Sequence, residues 1–307
     1  MIEVKGLSKI YGSFQAVNSV NFVAKAGEIF GLLGPNGAGK STTINCISGL
    51  ISPTDGSVLI NGYNITTDSV KAKQSLGLVP QELALYEDLS AYENLVFWGS
   101  AYGLSGNQLQ ERIQQVLNEV GLETRQKDAV NQFSGGMKRR LNFACAVLHK
   151  PAALLLDEPT VGIDPQSREH LMQAILKLKE QGTAVIYTTH YMEEAEQLCD
   201  RIAIMDHGKV IAEGTTGKLI EEMKVDNCIE FQEIAELPAD LLSALPAVTR
   251  VQQRGGNVEV FSKHPQSTLV GLLETAENKQ VNINDLHIRR PTLEDVFLEL
   301  TGRRLRE

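Results

Sequence analysis

The sequence predicts an α/β fold followed by a smaller α+β, ferredoxin-like unit, and three observations carry that expectation. A short apolar strand, Glu28 to Leu33, runs into GPNGAGKST at residues 34 to 42 and then into a helix from Lys40 to Leu50. Further apolar runs at 57–60, 76–79, 153–156 and 183–188 alternate with helical patterns, which is how strands of a covered sheet are laid out. Beyond residue 225 the texture changes to short alternating strands and helices in the order βαββαβ plus a helix. The 307 residues, 42 % hydrophobic and 22 % charged, suffice for two ordinary domains, placed at 1–217 and 225–307.

The first 27 residues alternate apolar and polar positions (Ile2, Val4; Val20, Phe22) and read as antiparallel strands with one wet face. Tyr11 lies between them, either stacked on a base or packed as a core tyrosine at a strand end. The nine residues that follow the strand, Gly34, Pro35, Asn36, Gly37, Ala38, Gly39, Lys40, Ser41 and Thr42, have phosphate-loop spacing. Glycines let successive N–H groups point inward at phosphate oxygens, Lys40 adds a mobile positive charge, and the Ser41 hydroxyl suits Mg²⁺. A helix N-terminus behind the loop adds its own positive dipole end.

The strand at 76–79 ends at Pro80-Gln81. Gln81 either reaches a metal or an attacking water, or is a plain loop glutamine. Residues 85 to 122 are helical and aromatic, with Tyr86, Tyr92, Phe97, Trp98 and Tyr102 ahead of an amphipathic run from Gln108 to Val120. Most of this stretch is expected as the core of a small helical subdomain, and part as a groove for a partner. In FSGGMKRRLNFACAVLHK, residues 133 to 150, Ser134 caps a helix opened by Gly135-Gly136. That N-terminus reads as a second anion site or as a capped helix with no ligand.

In ALLLDEPTVGIDP an apolar strand delivers Asp157 and Glu158 to its carboxyl end. Buried carboxylates are costly unless they meet a metal or a reacting water, so Asp157 suits the metal's outer shell and Glu158 a general base on water. Asp164-Pro165 start the next helix, 166 to 180, and the strand at 183–188 ends at His190. A lone histidine is usually structural; its place after the DE pair points to a phosphate contact.

Composition narrows the class. No apolar run approaches the ~18 residues that span a bilayer, and MIEVKGLSKI lacks the basic and apolar regions of a secretion signal. Cys46, Cys145, Cys199 and Cys228 show no metal-ligand spacing and read as free thiols of a cytoplasmic protein. A net charge of −9 argues against nucleic acid as the main partner, and Arg303, Arg304 and Arg306 read as a solvated helix end.

Taken together and in order, Tyr11, GPNGAGKST, Gln81, FSGGM, LLLDEP, the Asp164 loop and His190 resemble an ABC-transporter nucleotide-binding subunit over roughly residues 1 to 217. The resemblance implies a P-loop NTPase of ABC type, with a mixed-sheet core, an antiparallel β subdomain and a helical subdomain. One departure is visible: Phe133 and Met137 stand where the commonest family signature has Leu and Gln. FSGGMKRRL looks like the ABC-2 type export branch, as does the closing RRPTLEDVFLELTGR. Further implied are ATP and Mg²⁺ as cofactors and a head-to-tail homodimer that places each ATP between the loop of one subunit and the Ser134 helix of the other. Tyr11 would stack on adenine, Ser41, Gln81 and Asp157 would hold Mg²⁺, Glu158 would polarise water, and His190 would touch the γ-phosphate.

The second unit is expected to begin after a helical connector, 218–224. It continues with a strand at 228–234, a helix at 238–245, a hairpin through Arg254-Gly255-Gly256-Asn257, a helix at 268–276, an extended 281–288 and a helix at 292–301. Thr292 and Asp295 are spaced like a capping box. With no catalytic constellation of its own, this unit reads as regulatory or as a dimer contact. Three functions compete: the ATPase engine of an exporter whose permease is a separate chain, an importer subunit, and a soluble mechanical ATPase. The first places the chain at the inner face of the cell membrane through the permease.

Overall fold

The computed structural model describes residues 1–223 and 226–301. They form two compact units, one from Met1 to Thr216 and the other from Gly217 onward. The arginine tail, with Arg303, Arg304 and Arg306, and Lys224 of the connector lie outside the described residues.

The first unit opens with an antiparallel hairpin, β1 (Ile2–Tyr11) and β2 (Phe14–Ala24). Alternation buries Ile2, Val4, Val20 and Phe22 and leaves the other face wet, as their pattern requires. β3 (Ile29–Leu33) is buried at every position and runs through the loop into α1 (Lys40–Ile47). That helix ends before the expected Leu50. Gly49 turns left-handed (φ 66°), while its N–H bonds the carbonyl of Cys46 and the Leu50 N–H that of Asn45. β4 (Asp55–Ile60) then pairs with β1 and β5 (Tyr63–Asn64) with β4, closing a sheet of order β2-β1-β4-β5.

After α2 (Ser69–Gln74), β6 (Leu76–Val79) enters a different sheet. A helical part follows, with α3 (Ala91–Ala101), α4 (Gly106–Glu119) and α5 (Gly135–Val147). α3 starts in a capping box between Ser90 and Glu93. β7 (Ala153–Asp157), α6 (Pro165–Glu180), β8 (Ala184–Thr189), α7 (Met192–Leu198), β9 (Arg201–Asp206) and β10 (Lys209–Gly214) complete the unit. The resulting six-stranded sheet has order β10-β9-β3-β8-β7-β6, with only β10 antiparallel. Mixed core, antiparallel sheet and helical part are those expected.

The second unit follows α8 (Thr216–Glu222) with β11 (Asn227–Gln232), α9 (Ala239–Ser243), β12 (Val248–Arg254), β13 (Asn257–Ser262), α10 (Pro265–Asn278), β14 (His287–Arg289) and α11 (Leu293–Thr301). All neighbours in its sheet, β12-β13-β11-β14, are antiparallel, and the βαββαβ order is the ferredoxin-like one. Ile229, Phe231, Val258 and Val260 pack there with Leu242, Leu272 and Ala276 of the helices. The Thr292–Asp295 capping box forms, with Asp295 Oδ2 2.9 Å from the Thr292 N–H. One strand differs: of the extended 281–288, only its end pairs in β14. Val281, Ile283 and Leu286 instead pack on the core from an irregular segment, so their apolar side chains mark burial rather than a ladder.

Candidate functional site

Four parallel strands set up the site. β3, β6, β7 and β8 end on the same edge of the sheet and deliver, in turn, the glycine loop, Gln81, Asp157-Glu158 and His190. In open α/β sheets, ligands bind in the crevice beyond the carboxyl ends of the strands.

Gly39, the N-cap of α1, has φ 103°, and a Cβ there would lie 2.6 Å from the Ala16 carbonyl, so no side chain is tolerated. Lys40 is only 5 % exposed. Its Nζ donates to the carbonyls of Gly34 (2.6 Å) and Pro35 (3.2 Å) and lies 3.8 Å from Glu158 Oε1. Burial lowers the Lys40 pKa, against the opposing pull of Glu158 and Asp157.

Asp157 and Glu158 are 6 % and 7 % exposed. Burial raises the Asp157 pKa; the Thr188 and Ser41 hydroxyls and Lys40 draw it down, and the Glu158 charge adds to the rise. Thr188 Oγ1 donates to Asp157 Oδ1 at 2.6 Å and accepts the Glu158 N–H at 3.0 Å. Glu158 itself sits at φ 48°, a left-handed conformation that a non-glycine residue holds only where its surroundings over-determine it. Its two oxygens face different partners. Gln81 Nε2 donates to Oε2 at 3.2 Å, while His190 Nδ1 lies 3.3 Å from Oε1. The latter pair lacks hydrogen-bond alignment, leaving that imidazole nitrogen without a hydrogen-bond partner among the described residues. Lys40, Gln81 and His190 therefore surround one carboxylate.

The cleft in front of this group, about 230 Å³, is lined by Pro35, Asn36, Gly37, Gly39, Lys40, Ser41, Thr42, Gln81 and Glu158, and by Phe14 and Ala16. Tyr11 is not among its lining residues. It pairs across the hairpin with Phe14, is half-exposed, and has Lys9 Nζ 5.1 Å from its ring centre. Phe14, 64 % exposed, is the aromatic that reaches the cleft. Sequence reasoning missed it, although a second exposed aromatic across a tight turn from Tyr11 was a usable signal.

The comparisons bear on this geometry. The family described as "ABC transporter" matches residues 17–161, and "ATP-binding protein DrrA1-3-like, C-terminal domain" matches residues 223–301. The linearmycin resistance ATP-binding protein LnrL of Bacillus subtilis (strain 168) is 45 % identical over 100 % of both chains. This chain belongs to the ABC transporter family. The Nod factor export ATP-binding protein I of Rhizobium sp. (strain N33) is 38 % identical over 99 % of this chain and 98 % of its own. Among solved structures, a dimeric post-hydrolysis state of the ATP-binding cassette MJ0796 bound to ADP and Pi superposes with a TM-score of 0.64. It is 32 % identical and covers 70 % of this chain and 98 % of that one. The chain is an ABC ATPase of the ABC-2 export branch, with a DrrA-like C-terminal domain.

The signature helix of this ABC subunit stands apart from the cleft. Ser134 caps α5, its Oγ accepting the Met137 N–H at 3.2 Å. Neither Ser134, Gly135, Gly136 nor Asp164 lines the cleft. Asp164 caps α6 through the Ser167 N–H (2.8 Å), and that bond, more than any other cause, lowers its pKa. Gly136 has a job within the chain: a Cβ there would lie 2.6 Å from Asp164 Oδ2 and press on Ser167. A Cβ at Gly135 would meet only the Gly162 carbonyl, 4.0 Å away, so there is room for a side chain there.

The implied Mg²⁺ calls for hard oxygen donors. Ser41 Oγ and a buried carboxylate whose pKa burial has raised stand together, with the Gln81 amide in the same cleft, so the residues present fit such an ion. Among the described residues no group of three His, Cys, Asp or Glu side chains is placed to hold a metal.

The aromatic stretch divides as the sequence could not specify. Tyr86 and Phe97 are exposed and meet edge-on at 4.8 Å, whereas Tyr92 and Trp98 pack on the core. No helix among the described residues is long and apolar enough to cross a membrane.

Proposed function

We propose that this chain is the ATP-hydrolysing subunit of an ABC-2 type exporter, working as a head-to-tail homodimer beneath a separate permease. The observation that carries the reading is Glu158, one buried carboxylate with Gln81, His190 and Lys40 around it in front of the phosphate loop. Loop N–H groups and Lys40 would take the ATP phosphates, and His190 would meet the γ-phosphate. Bound Mg²⁺, held by Ser41, Gln81 and Asp157, would neutralise charge developing on those phosphates. Glu158 would accept the proton of the attacking water. Tyr11, next to Phe14, would flank the adenine.

Because Ser134 and Gly135 lie outside the cleft, their helix N-terminus is free to meet the ATP of a second subunit; the dimeric cassette bound to ADP and Pi supports that arrangement. Export is supported by relatives named for linearmycin resistance and Nod factor export, and by the DrrA-like C-terminal match. On this reading residues 1–217 are the nucleotide-binding domain and 225–307 an accessory domain. The chain works in the cytoplasm at the inner face of the membrane. Glu158→Gln tests the proposal: it should bind ATP, hydrolyse at least about a hundredfold slower, and form an ATP-dependent dimer in gel filtration. Undiminished turnover would remove Glu158 from the chemistry.

A further inference from the structure

From Gln81 to Leu89 the chain has no helix or strand of its own. Side chains of neighbouring helices hold it instead. Three belong to α5: the Arg139 guanidinium donates to the Gln81 carbonyl, Asn142 Oδ1 accepts the Ala84 N–H at 3.1 Å, and Lys138 Nζ meets Glu87 at 2.7 Å. Asn94 of α3 takes the next stretch, pairing with both the N–H (2.8 Å) and the carbonyl (3.0 Å) of Tyr86. Asn142 and Asn94 are buried, and Arg139 is partly so. A guanidinium on a carbonyl is a charge-assisted bond, stronger than a neutral one.

We propose that Arg139, with Asn142 one turn behind it, is a positioning residue for hydrolysis, clamping the backbone of residues 81–84 to α5 so that the Gln81 amide stays on Glu158. The inference rests on Glu158 acting on water, as proposed above. Gln81 is exposed, and holding a backbone residue in one conformation costs entropy, so an untethered residue 81 would spend much of its time away from Glu158. The same α5 carries Ser134 and Gly135 at its N-terminus. A displacement of α5 by nucleotide in a second subunit would therefore pull on Gln81 directly. The clamp joins occupancy of one site to readiness of the other.

The test uses the full-length chain, with ATP turnover and ATP affinity measured side by side. Arg139→Ala should lower kcat between about 10- and 100-fold while KM, ATP affinity and melting temperature hold. Arg139→Lys, whose ammonium can reach the same carbonyl, should recover most of that loss. Gln81→Ala should be similarly slow, and adding Arg139→Ala to it should cost less than about twofold more, because the amide being positioned is gone. Unchanged kcat in Arg139→Ala overturns the clamp, as does a loss that multiplies with Gln81→Ala or one carried by KM or by unfolding. A dead Glu158→Gln beside an undiminished Arg139→Ala rejects the clamp alone. Full turnover in Glu158→Gln rejects the reading of the cleft and the clamp with it.

Discussion

Replacing Gly135 with aspartate probes whether ATP is shared between two subunits, and the structure dictates the choice of glycine. At Gly136 a side chain would press on Asp164 and Ser167 inside the same chain, so a carboxylate there destabilises the fold by about 1–3 kcal/mol of overpacking and charge repulsion. A Cβ at Gly135 would lie 4.0 Å from the Gly162 carbonyl, an ordinary contact, and an acidic residue in a first helical turn is worth about 0.3–1 kcal/mol of stability. Gly135→Asp should therefore fold normally and keep its own phosphate loop. Against a neighbour's phosphate at ~4 Å and an effective dielectric of ~20, the new charge costs about 4 kcal/mol per unit charge, close to three decades. The variant should be inactive alone, as should Lys40→Ala. Mixed in equal amounts and assembling at random, half of the dimers are mixed and each holds one intact composite site. About a quarter of the wild-type sites are thus restored, and phosphate release should recover to about that fraction or less if the two sites cooperate. Recovery absent from a mixture of two folded variants would refute a shared site and favour one closed within a single chain.

Lys40→Ala should lose two to three decades of turnover. It should also melt lower by several degrees, since the Gly34 and Pro35 carbonyls lose their donor and Glu158 its nearest cation; an unchanged melting curve would contradict that packing. His149, stacked on Tyr102 at 3.6 Å, has its pKa lowered to about 4 by burial. The unfolded chain binds that proton first, so stability is complete above pH ~6.5 and is lost as pH falls towards 4, by up to about 3 kcal/mol. His149→Gln should flatten that part of the stability-versus-pH curve, and an equally steep curve would exonerate His149. Tyr86→Ala or Phe97→Ala should weaken association with permease-containing membranes by about thirtyfold, at ≥ ~2 kcal/mol for a hot spot, while ATP binding is kept. Tyr92→Ala and Trp98→Ala should lower the melting temperature instead, and membrane association indifferent to both exposed rings would dismiss this surface.

The sequence by itself determined the phosphate loop, the strand that ends in Asp157-Glu158, the capped helix at Ser134 and the βαββαβ order of the second unit. Each is contiguous, and its geometry follows from local propensities: glycine dihedrals, an N-cap hydroxyl, the periods of strand and helix. Tertiary structure decided which of these pieces meet. Gln81 and Glu158 are 77 residues apart, Thr188 and Asp157 31, and Arg139 and Gln81 58. Nothing in an apolar run states which strand it will lie beside, because burial rewards any neighbour of the right shape and only the packed sheet selects one. The same holds for the surface. Tyr86, Tyr92, Phe97 and Trp98 have similar apolar character, and which two stay in water depends on where α3 lies against α4 and α5. Gly136 makes the point in a single residue: its place in the signature motif is local, but the need for no side chain there comes from Asp164 and Ser167, brought against it by the packing of α6 on α5.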